Sequence, residues 1–320
     1  MAKNEKFAVG VDLGGTSIKL GIVSPDGHIE EKISVDTCAS EGPAAVIRQI
    51  KKGISQLLST NANKVQGIGI GAPGIVALKK GTVENPPNLP GWGKIHLGKI
   101  LEEKFRMKVF VENDANAAAV GEFIFGAGRK LDSFVMVTLG TGVGGGIIVN
   151  RELFRGEYGG AGEIGHISID MNGAPCNCGS IGCIEAYLGN RYLIQRVLHQ
   201  LPNHPDSRIN SMIQGDAEQL TPLIISKAAE QNDAYALAVI DEFARYLGCA
   251  LASVANMLDI PNFIVGGGVS GFGERLYTLT QKTMIERVLV PLKDRISLKP
   301  SKLKNDAGIQ GASALVFMRR

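Results

Sequence analysis

The feature that most constrains the fold is a unit of strand, glycine turn and strand that occurs once in each half of the chain. Asp12 to Val23 and Thr138 to Val149 both run from an apolar strand pattern through glycines into a second apolar strand, with Leu-Gly and Ile-Val pairs at matching places. A chance alignment of two glycine-rich hairpins is the alternative, but a length of 320 residues also suggests about two domains. The repeat therefore predicts a duplicated α/β protein whose two hairpin tips face each other across a cleft.

The apolar periodicity around these units predicts how the rest of the chain folds. Residues 7–35 have the pattern of a three-stranded meander, and from Asn190 onward the spacing is mostly helical. A final apolar helix over Ile309 to Met318 is expected to pack back on the first domain. Two domains are predicted. The small α/β domain comprises residues 1–118 and 305–320, and the large α/β domain comprises residues 119–304.

Charge and aromatic content exclude several classes of partner. Thirty-four Lys and Arg against 31 Asp and Glu leave a net charge of +3, which is too small for a surface that binds nucleic acid or an anionic membrane. Aromatic residues make up 6% of the chain, too few for a surface that stacks on bases. Met1 to Lys6 run directly into the first strand pattern without the apolar core of a signal peptide, and no run approaches the ~18 apolar residues of a membrane span. We therefore expect a soluble cytoplasmic protein without nucleic-acid or membrane partners.

Glycine is well above its usual share of ~7%, with 41 of 320 residues. It is clustered rather than periodic, which excludes collagen and low-complexity linkers. At the end of a strand, glycine lets backbone amides approach an anion without a Cβ in the way. The clusters that adjoin strand patterns are Gly14–Gly15, Gly67–Gly74, Gly140–Gly146, Gly156–Gly165 and Gly266–Gly273.

Two common nucleotide motifs do not explain these clusters. Gly140-x-Gly142-x-x-Gly145 has the dinucleotide-binding spacing, but a strand pattern follows it where that motif needs a helix. No G-x-x-x-x-G-K-[ST] sequence occurs. What remains is a pair of hairpin tips whose amides converge on an anion, or tight hairpins with no further role. Side chains placed to assist anion or Mg²⁺ binding at the tips are Thr16, Lys19 and Thr141 as donors and Asp12 as the carboxylate for Mg²⁺.

One segment has the ligand spacing of a metal site. His166, Cys176, Cys178 and Cys183 supply three thiolates and one imidazole, which fill a tetrahedral zinc shell and leave no open position, as in structural zinc sites. A disulfide or a chance cluster of buried thiols is the alternative. Glu163 and Glu185 flank these ligands, so a metal would hold two carboxylates beside one another as acceptors for ligand hydroxyl groups. Ordinary solvated glutamates are the alternative for both.

The catalytic candidate lies where a strand pattern meets a helix pattern. Val111-Glu-Asn-Asp114 directly precedes an alanine-rich helical run, so Asn113 or Asp114 is either a helix N-cap or a functional group. In the functional interpretation, Asp114 accepts a proton from a substrate hydroxyl and Asn113 hydrogen-bonds a neighbouring one. A carboxylate at the carboxyl end of a strand is well placed for that role.

Six segments together resemble the ROK family of bacterial sugar kinases and repressors, and they span nearly the whole chain. The zinc segment is the most specific of them. The resemblance implies the two-domain fold of actin, Hsp70 and hexokinase, which is ribonuclease H-like, with an interdomain cleft and a zinc-binding segment. The segments are Asp12-Leu-Gly-Gly-Thr, Glu112-Asn-Asp-Ala-Asn, Leu139-Gly-Thr-Gly-Val-Gly-Gly-Gly, Glu163-Ile-Gly-His166, Cys176-Asn-Cys-Gly-Ser-Ile-Gly-Cys183-Ile-Glu185 and Gly266-Gly-Gly.

The resemblance also implies roles for individual residues, with ATP, Mg²⁺ and structural Zn²⁺ as cofactors. Asp114 would be the general base and Asp12 would serve Mg²⁺. His166 would bind the sugar through one ring nitrogen and zinc through the other. The remaining sugar ligands would be Asn88, Asn113, Glu163 and Glu185. The phosphates of ATP would be held by Gly14, Gly15, Thr16, Gly140, Thr141 and Gly142, with Lys19 as a further donor, and Gly266, Gly267 and Gly268 would lie near the adenosine.

The implied reaction is transfer of the γ-phosphoryl group of ATP to the 6-hydroxyl of an aldohexose, with glucose as the expected substrate and a homodimer as the expected assembly. N-acetylglucosamine, N-acetylmannosamine, mannose and fructose are the alternative substrates. A sugar-responsive ROK transcriptional regulator is the alternative of another class. We disfavour it because those regulators carry a DNA-binding domain before the kinase-like part, whereas the first phosphate strand here begins at Phe7.

Overall fold

The structure, a computed structural model, describes residues 6–77 and 81–318. The expectations for Met1 to Glu5 and for the last two residues of the predicted small domain therefore lie outside the described residues. Within the described part, the helices are either too short or too polar to cross a membrane.

The predicted strands and helices occur in their expected order along the chain, together with short elements that were not predicted. The strands are β1 (Phe7–Leu13), β2 (Ser17–Val23), β3 (Ile29–Asp36), β4 (Val65–Ala72), β5 (Ile75–Ala77), β6 (Thr82–Glu84), β7 (Lys94–Ile95), β8 (Lys108–Asn113), β9 (Phe134–Leu139), β10 (Val143–Val149), β11 (Glu152–Phe154), β12 (Asn262–Gly266) and β13 (Ser297–Pro300). The helices are α1 (Pro43–Asn61), α2 (Leu97–Phe105), α3 (Asp114–Ile124), α4 (Glu185–Leu188), α5 (Asn190–Gln200), α6 (Arg208–Ile213), α7 (Pro222–Glu230), α8 (Ala234–Leu258), α9 (Gly273–Arg287) and α10 (Ala307–Met318).

The described chain divides into two units. Unit 1 comprises the described parts of Met1–Asp132 and Lys302–Arg320 together with Gly146–Gly162, and unit 2 comprises Ser133–Gly145 and Glu163–Ser301. The chain therefore passes from unit 2 into unit 1 within strand β10, and it returns to unit 2 just before Glu163.

Two five-stranded sheets share one topology. Their strand orders are β3-β2-β1-β4-β8 and β11-β10-β9-β12-β13. The antiparallel pair β2–β3 corresponds to β10–β11, and the parallel pairs β1–β4 and β4–β8 correspond to β9–β12 and β12–β13. This position-by-position match supports the duplication that the sequence repeat predicted, because two unrelated hairpins would not place the same neighbours in the same order.

The sheet of unit 1 is buried where the sequence is continuously apolar and half-buried where it alternates. Strand β1 lies mostly in the interior, whereas β3 alternates between half-buried and exposed residues, as expected for an edge strand. Helix α1 turns a buried face, which includes Val46, Ile50 and Ile54, towards this core. Periodicity alone therefore determines which side of each element is buried.

Many strand glycines make room for a helix rather than for an anion. Helix α10 packs on β1 and β4, as predicted. A Cβ at Gly10 would overlap the carbonyl of Ile309, and a Cβ at Gly69 would overlap the carbonyl of Ala312. For Gly69, in the Gly67–Gly74 cluster, the phosphate interpretation is therefore wrong: this glycine lets the backbone of α10 approach the sheet.

The periodicity missed the shortest elements. A three-stranded sheet of β5, β6 and β7 was not predicted, and the segment that carries Asn88 connects its strands β6 and β7. The short helix α6 was not predicted either. Strands of two or three residues are too short for a period of two to be recognised, and a six-residue helix has fewer than two turns.

Candidate functional site

The first glycine tip joins β1 to β2. Its carbonyl groups are held by the protein, because Thr37 Oγ1 donates to Gly14 O at 2.7 Å and Thr37 N donates to Thr16 O at 3.0 Å. Gly14 N donates to Ser17 O at 3.1 Å. The amides of Gly15 and Thr16 have no acceptor among the described residues. Two adjacent backbone N–H groups of this kind are the donors that an anion site needs.

Asp12, the carboxylate predicted for Mg²⁺, lies in β1 directly opposite Lys19 of β2. Burial raises the pKa of Asp12 above its ordinary value, and attraction to Lys19 lowers it in part. The carboxylate lies against the first turn of α10, where a Cβ at Gly308 would overlap it. A half-buried carboxylate with an exposed lysine as counter-charge gains from a nearby divalent cation, so its surroundings fit the predicted role.

The second glycine tip joins β9 to β10 and repeats this arrangement. Gly140 N donates to Gly142 O at 3.0 Å, and Asn190 N at the start of α5 donates to Gly140 O at 2.9 Å. The amides of Thr141 and Gly142 have no acceptor among the described residues. Each unit therefore presents a turn with two adjacent amides available to a ligand.

The third glycine segment adjoins the second tip within unit 2. Strands β12 and β9 are parallel, with Gly266 opposite Thr138, so both strands end at the same edge. Gly267 has φ 95°, and a Cβ there would overlap the carbonyl of Leu139. The space at Gly268 is open. This placement supports a nucleotide role for Gly266, Gly267 and Gly268, which stays a prediction.

Asn113 caps helix α3. Its Oδ1 accepts from Ala115 N at 2.9 Å and from Asn116 N at 3.1 Å, and its Nδ2 donates to Gly74 O at 3.1 Å. The helix-cap alternative is therefore realised at Asn113. The second N–H of its amide group remains for a ligand.

Asp114 is the first residue of α3, and it is exposed. Its Oδ1 accepts from Ala115 N at 2.8 Å. Because Asn113 already supplies the N-cap, the helix does not depend on the Asp114 carboxylate in the same way. The structure therefore assigns the capping role to Asn113, and the functional role of Asp114 stays a prediction.

Parallel pairing places this carboxylate and the first tip at one edge of the unit 1 sheet. Asp12, Gly71 and Glu112 are aligned across β1, β4 and β8. Asp114 lies two residues beyond Glu112, and Gly14 lies two residues beyond Asp12. Both therefore emerge at the carboxyl ends of parallel strands, where α/β folds bind their ligands.

A buried ion pair supports this corner and was not predicted from the sequence. Glu112 is 2% exposed, and its Oε2 accepts from Arg155 Nε at 2.7 Å. Its Oε1 accepts from Asn113 N at 3.0 Å and from Asn116 Nδ2 at 3.2 Å. A charged residue inside a strand of apolar neighbours was a signal for Glu112, but no local pattern marks Arg155.

The segment that carries Asn88, a predicted sugar ligand, lies against the first tip. A Cβ at Gly15 would be 3.0 Å from the Cβ of Asn88, which is exposed. Trp92, by contrast, is 3% exposed within the core, and its Nε1 donates to Val83 O at 3.3 Å. Trp92 is therefore a packing residue, whereas Asn88 is available to a ligand.

The four predicted zinc ligands converge. The ligand atoms of His166, Cys176, Cys178 and Cys183 all lie within 4.8 Å of one another. Cys178 Sγ is 3.7 Å from Cys183 Sγ, and Cys176 Sγ is 3.8 Å from His166 Nδ1. In a tetrahedron with Zn–S bonds of about 2.3 Å, sulfur atoms are about 3.8 Å apart. The cysteines are free, so the disulfide alternative is wrong.

The thiols of this cluster differ in their surroundings. Burial raises the pKa of Cys176 to about 12 and also raises the pKa of Cys183, whereas the Ser180 amide lowers the pKa of Cys178. Without a cation, the two buried thiols therefore favour the neutral form. A metal ion stabilises thiolates against this tendency, so the residues present fit a structural zinc ion.

Glu185 contacts the second tip, and the segment that follows Glu163 packs against the same turn. Glu163 is exposed and precedes a short 3₁₀ helix over Ile164–His166, in which a Cβ at Gly165 would overlap the carbonyl of Val143. Glu185 is the first residue of α4, and its Oε2 accepts from Val143 N at 3.0 Å. His166 turns Nδ1 towards the cysteines, so Nε2 is the ring nitrogen that remains for a ligand.

Comparison with known proteins extends these observations. The model of the ROK family matches residues 8–319. A glucokinase from Halalkalibacterium halodurans is 36% identical over 317 residues, which cover 98% of this chain and 96% of that protein. A ROK family glucokinase from Streptomyces griseus, solved in complex with glucose and AMPPNP, is 35% identical, with a TM-score of 0.85 and coverage of 97% of this chain and 98% of that one. A xylose repressor from Caldicellulosiruptor bescii is 30% identical, covering 97% of this chain and 77% of the repressor.

Proposed function

The chain belongs to the ROK family, and we propose that it is an ATP-dependent glucokinase that transfers the γ-phosphoryl group of ATP to the 6-hydroxyl of glucose. One observation carries this proposal: an exposed carboxylate, Asp114, emerges at the same edge of the unit 1 sheet as a glycine tip with two available amides. The similarity to glucokinases over nearly the whole chain supports it.

Phosphate binding is assigned to the two tips. The amides of Gly15 and Thr16 in unit 1, and of Thr141 and Gly142 in unit 2, donate to phosphate oxygens without competing with the protein's own hydrogen bonds. Asp12 would hold Mg²⁺, which when bound neutralises charge on the phosphates. Because phosphoryl transfer needs mainly alignment and charge stabilisation, such preorganised donors are the chief requirement.

Sugar binding and proton transfer are assigned to exposed side chains. Asn88, Glu163 and the Nε2 atom of His166 would bind sugar hydroxyls, with Glu185 and the remaining N–H of Asn113 as further contacts. Asp114 accepts the proton of the glucose 6-hydroxyl while the oxygen of that hydroxyl attacks the γ-phosphorus of ATP and ADP leaves. A cytoplasmic location and a homodimer stay predictions.

The activity is tested by measuring ADP release with ATP and Mg²⁺ across a panel of hexoses. We expect release only when a hexose is present, with the highest kcat/KM for glucose and with glucose 6-phosphate as the product. Mannose, fructose, N-acetylglucosamine and N-acetylmannosamine serve as the comparison substrates. Release at the same rate without sugar, or sugar binding without turnover as a regulator would show, would overturn the proposal.

A structural zinc ion at the cluster makes a separate prediction. Metal analysis of the purified protein should find about one zinc per chain. Cys178→Ala should lose this zinc, because only three of the four ligands of a structural site remain. Cys178 is exposed, so its substitution does not itself open the core, and a lower melting temperature would report the lost metal. Cys249→Ala is the matched control, because this cysteine lies outside the cluster and zinc should be retained. A wild-type protein without bound metal would contradict the prediction.

A further inference from the structure

Within unit 2, the carboxylate of Glu185 lies between the second glycine tip and the cysteine cluster. Its Oε2 accepts from Val143 N at 3.0 Å, and its Oε1 lies 4.0 Å from Cys176 Sγ. Val143 is the residue that follows the second glycine tip. The carboxylate therefore connects the segment of the cysteine cluster directly to the turn that presents the amides of Thr141 and Gly142.

The glycine at position 142 is explained by the same carboxylate. A Cβ at Gly142 would overlap Glu185 Oε2, whereas nothing lies within 4 Å of a Cβ at Gly140. An alanine at position 142 would therefore displace the end of the Glu185 side chain, whatever the ligand. The backbone around Glu185 also packs against the tip. A Cβ at Gly189, one turn after Glu185, would be 3.0 Å from the carbonyl oxygens of both Glu185 and Thr141.

We propose that Glu185 is a positioning residue for the nucleotide: its carboxylate fixes the second glycine tip through Val143 N, so that the tip amides are held ready for phosphate before any sugar binds. This inference rests on the proposed function, because that function gives the tip its phosphate role. It goes beyond the sugar contact assigned to Glu185, because it makes the same side chain a determinant of ATP affinity. A hydrogen bond from an amide to a charged acceptor is strong enough to hold a short turn.

The test is the affinity for AMPPNP, measured calorimetrically in the absence of sugar. Removing an amide-to-carboxylate bond is expected to weaken binding about tenfold or more, so Glu185→Ala should show this loss. Gly142→Ala should show it too, because the added methyl group displaces the carboxylate. Glu185→Gln keeps an oxygen that accepts from Val143 N and should recover most of the affinity.

Glu163→Ala is the matched control for the sugar role. Glu163 is the other carboxylate assigned to sugar binding, and it makes no hydrogen bond to the tip among the described residues. It should weaken glucose binding and leave the AMPPNP affinity within about twofold. Gly160→Ala is the control for replacing a glycine by alanine. A Cβ at Gly160 meets nothing within 4 Å, so this variant should keep the AMPPNP affinity of the wild type.

The possible outcomes separate this inference from the proposed function. If the wild-type protein does not bind AMPPNP, the proposed function fails. If the wild type binds and Glu185→Ala binds equally well, the positioning role is wrong and the kinase proposal stands. Hydrogen exchange at Val143 gives a readout that needs no ligand: its amide should exchange faster in Glu185→Ala than in the wild type, and equal rates would also overturn the inference.

Discussion

Replacing Asp114 by alanine is expected to lower kcat for glucose phosphorylation by about 10²- to 10⁴-fold, the usual contribution of a general base, while glucose affinity stays within a few-fold of wild type. The structure explains why this variant should fold. Asn113, not Asp114, is the N-cap of α3, so the capping hydrogen bonds are kept, and losing a carboxylate at the helix N-terminus costs about 0.3–1 kcal/mol. Steady-state kinetics and calorimetric glucose binding on the same sample measure both quantities.

Two further variants make the result specific to the carboxylate. Asp114→Asn keeps the shape of the side chain and should lose nearly as much turnover, because an amide does not accept the proton. Glu103→Ala, on the exposed face of α2, should leave kcat unchanged. Turnover of Asp114→Ala within a few-fold of wild type would remove Asp114 from the role of base.

Replacing Arg155 by methionine is expected to destabilise unit 1 by about 3–5 kcal/mol, because it leaves Glu112 buried without its counter-charge. The side chains of Arg155 and Glu112 are 20% and 3% exposed, and their Nε and Oε2 atoms are 2.7 Å apart. At about 2–4 °C per kcal/mol for a domain of this size class, the melting temperature should fall by about 6–20 °C. Calorimetric unfolding measures it.

The double variant Arg155→Met/Glu112→Gln distinguishes an uncompensated charge from lost packing. Without the charge, a large part of the lost stability should return, since the neutral amide oxygen still accepts from Asn113 N and Asn116 Nδ2. Arg48→Met is the surface control: its pair with Glu41 is 3.5 Å apart with both side chains mostly exposed, so a loss below about 1 kcal/mol is expected. A similar small loss for Arg155→Met would show that the buried pair has little energetic role.

The duplicated units and the cysteine cluster were predictable because their evidence is local or nearly local in the chain. Strand β1 with its glycine turn, helix α2 and the four zinc ligands all follow from spacing within short segments. A side-chain period is a direct consequence of backbone geometry, so a long apolar pattern predicts both the element and its buried face.

The meaning of individual glycines was not predictable in this way. Gly15 and Gly69 look alike in the sequence, since both belong to clusters that adjoin a strand pattern. The structure distinguishes them: the amide of Gly15 has no acceptor among the described residues, whereas Gly69 accommodates the backbone of α10. Whether a missing Cβ serves an anion or a helix depends on what approaches it from a distant part of the chain.

By itself, then, the sequence determined the order of the longer elements, the repeated unit of strand, glycine turn and strand, and the set of side chains proposed to hold zinc. Only the tertiary structure decided that Asn113 is the cap and Asp114 the exposed carboxylate, that Arg155 neutralises Glu112, and that Glu185 holds Val143. The physical reason is that propensity and periodicity act over a few residues, whereas an ion pair or a hydrogen bond across tens of residues exists only once packing has brought its two partners together.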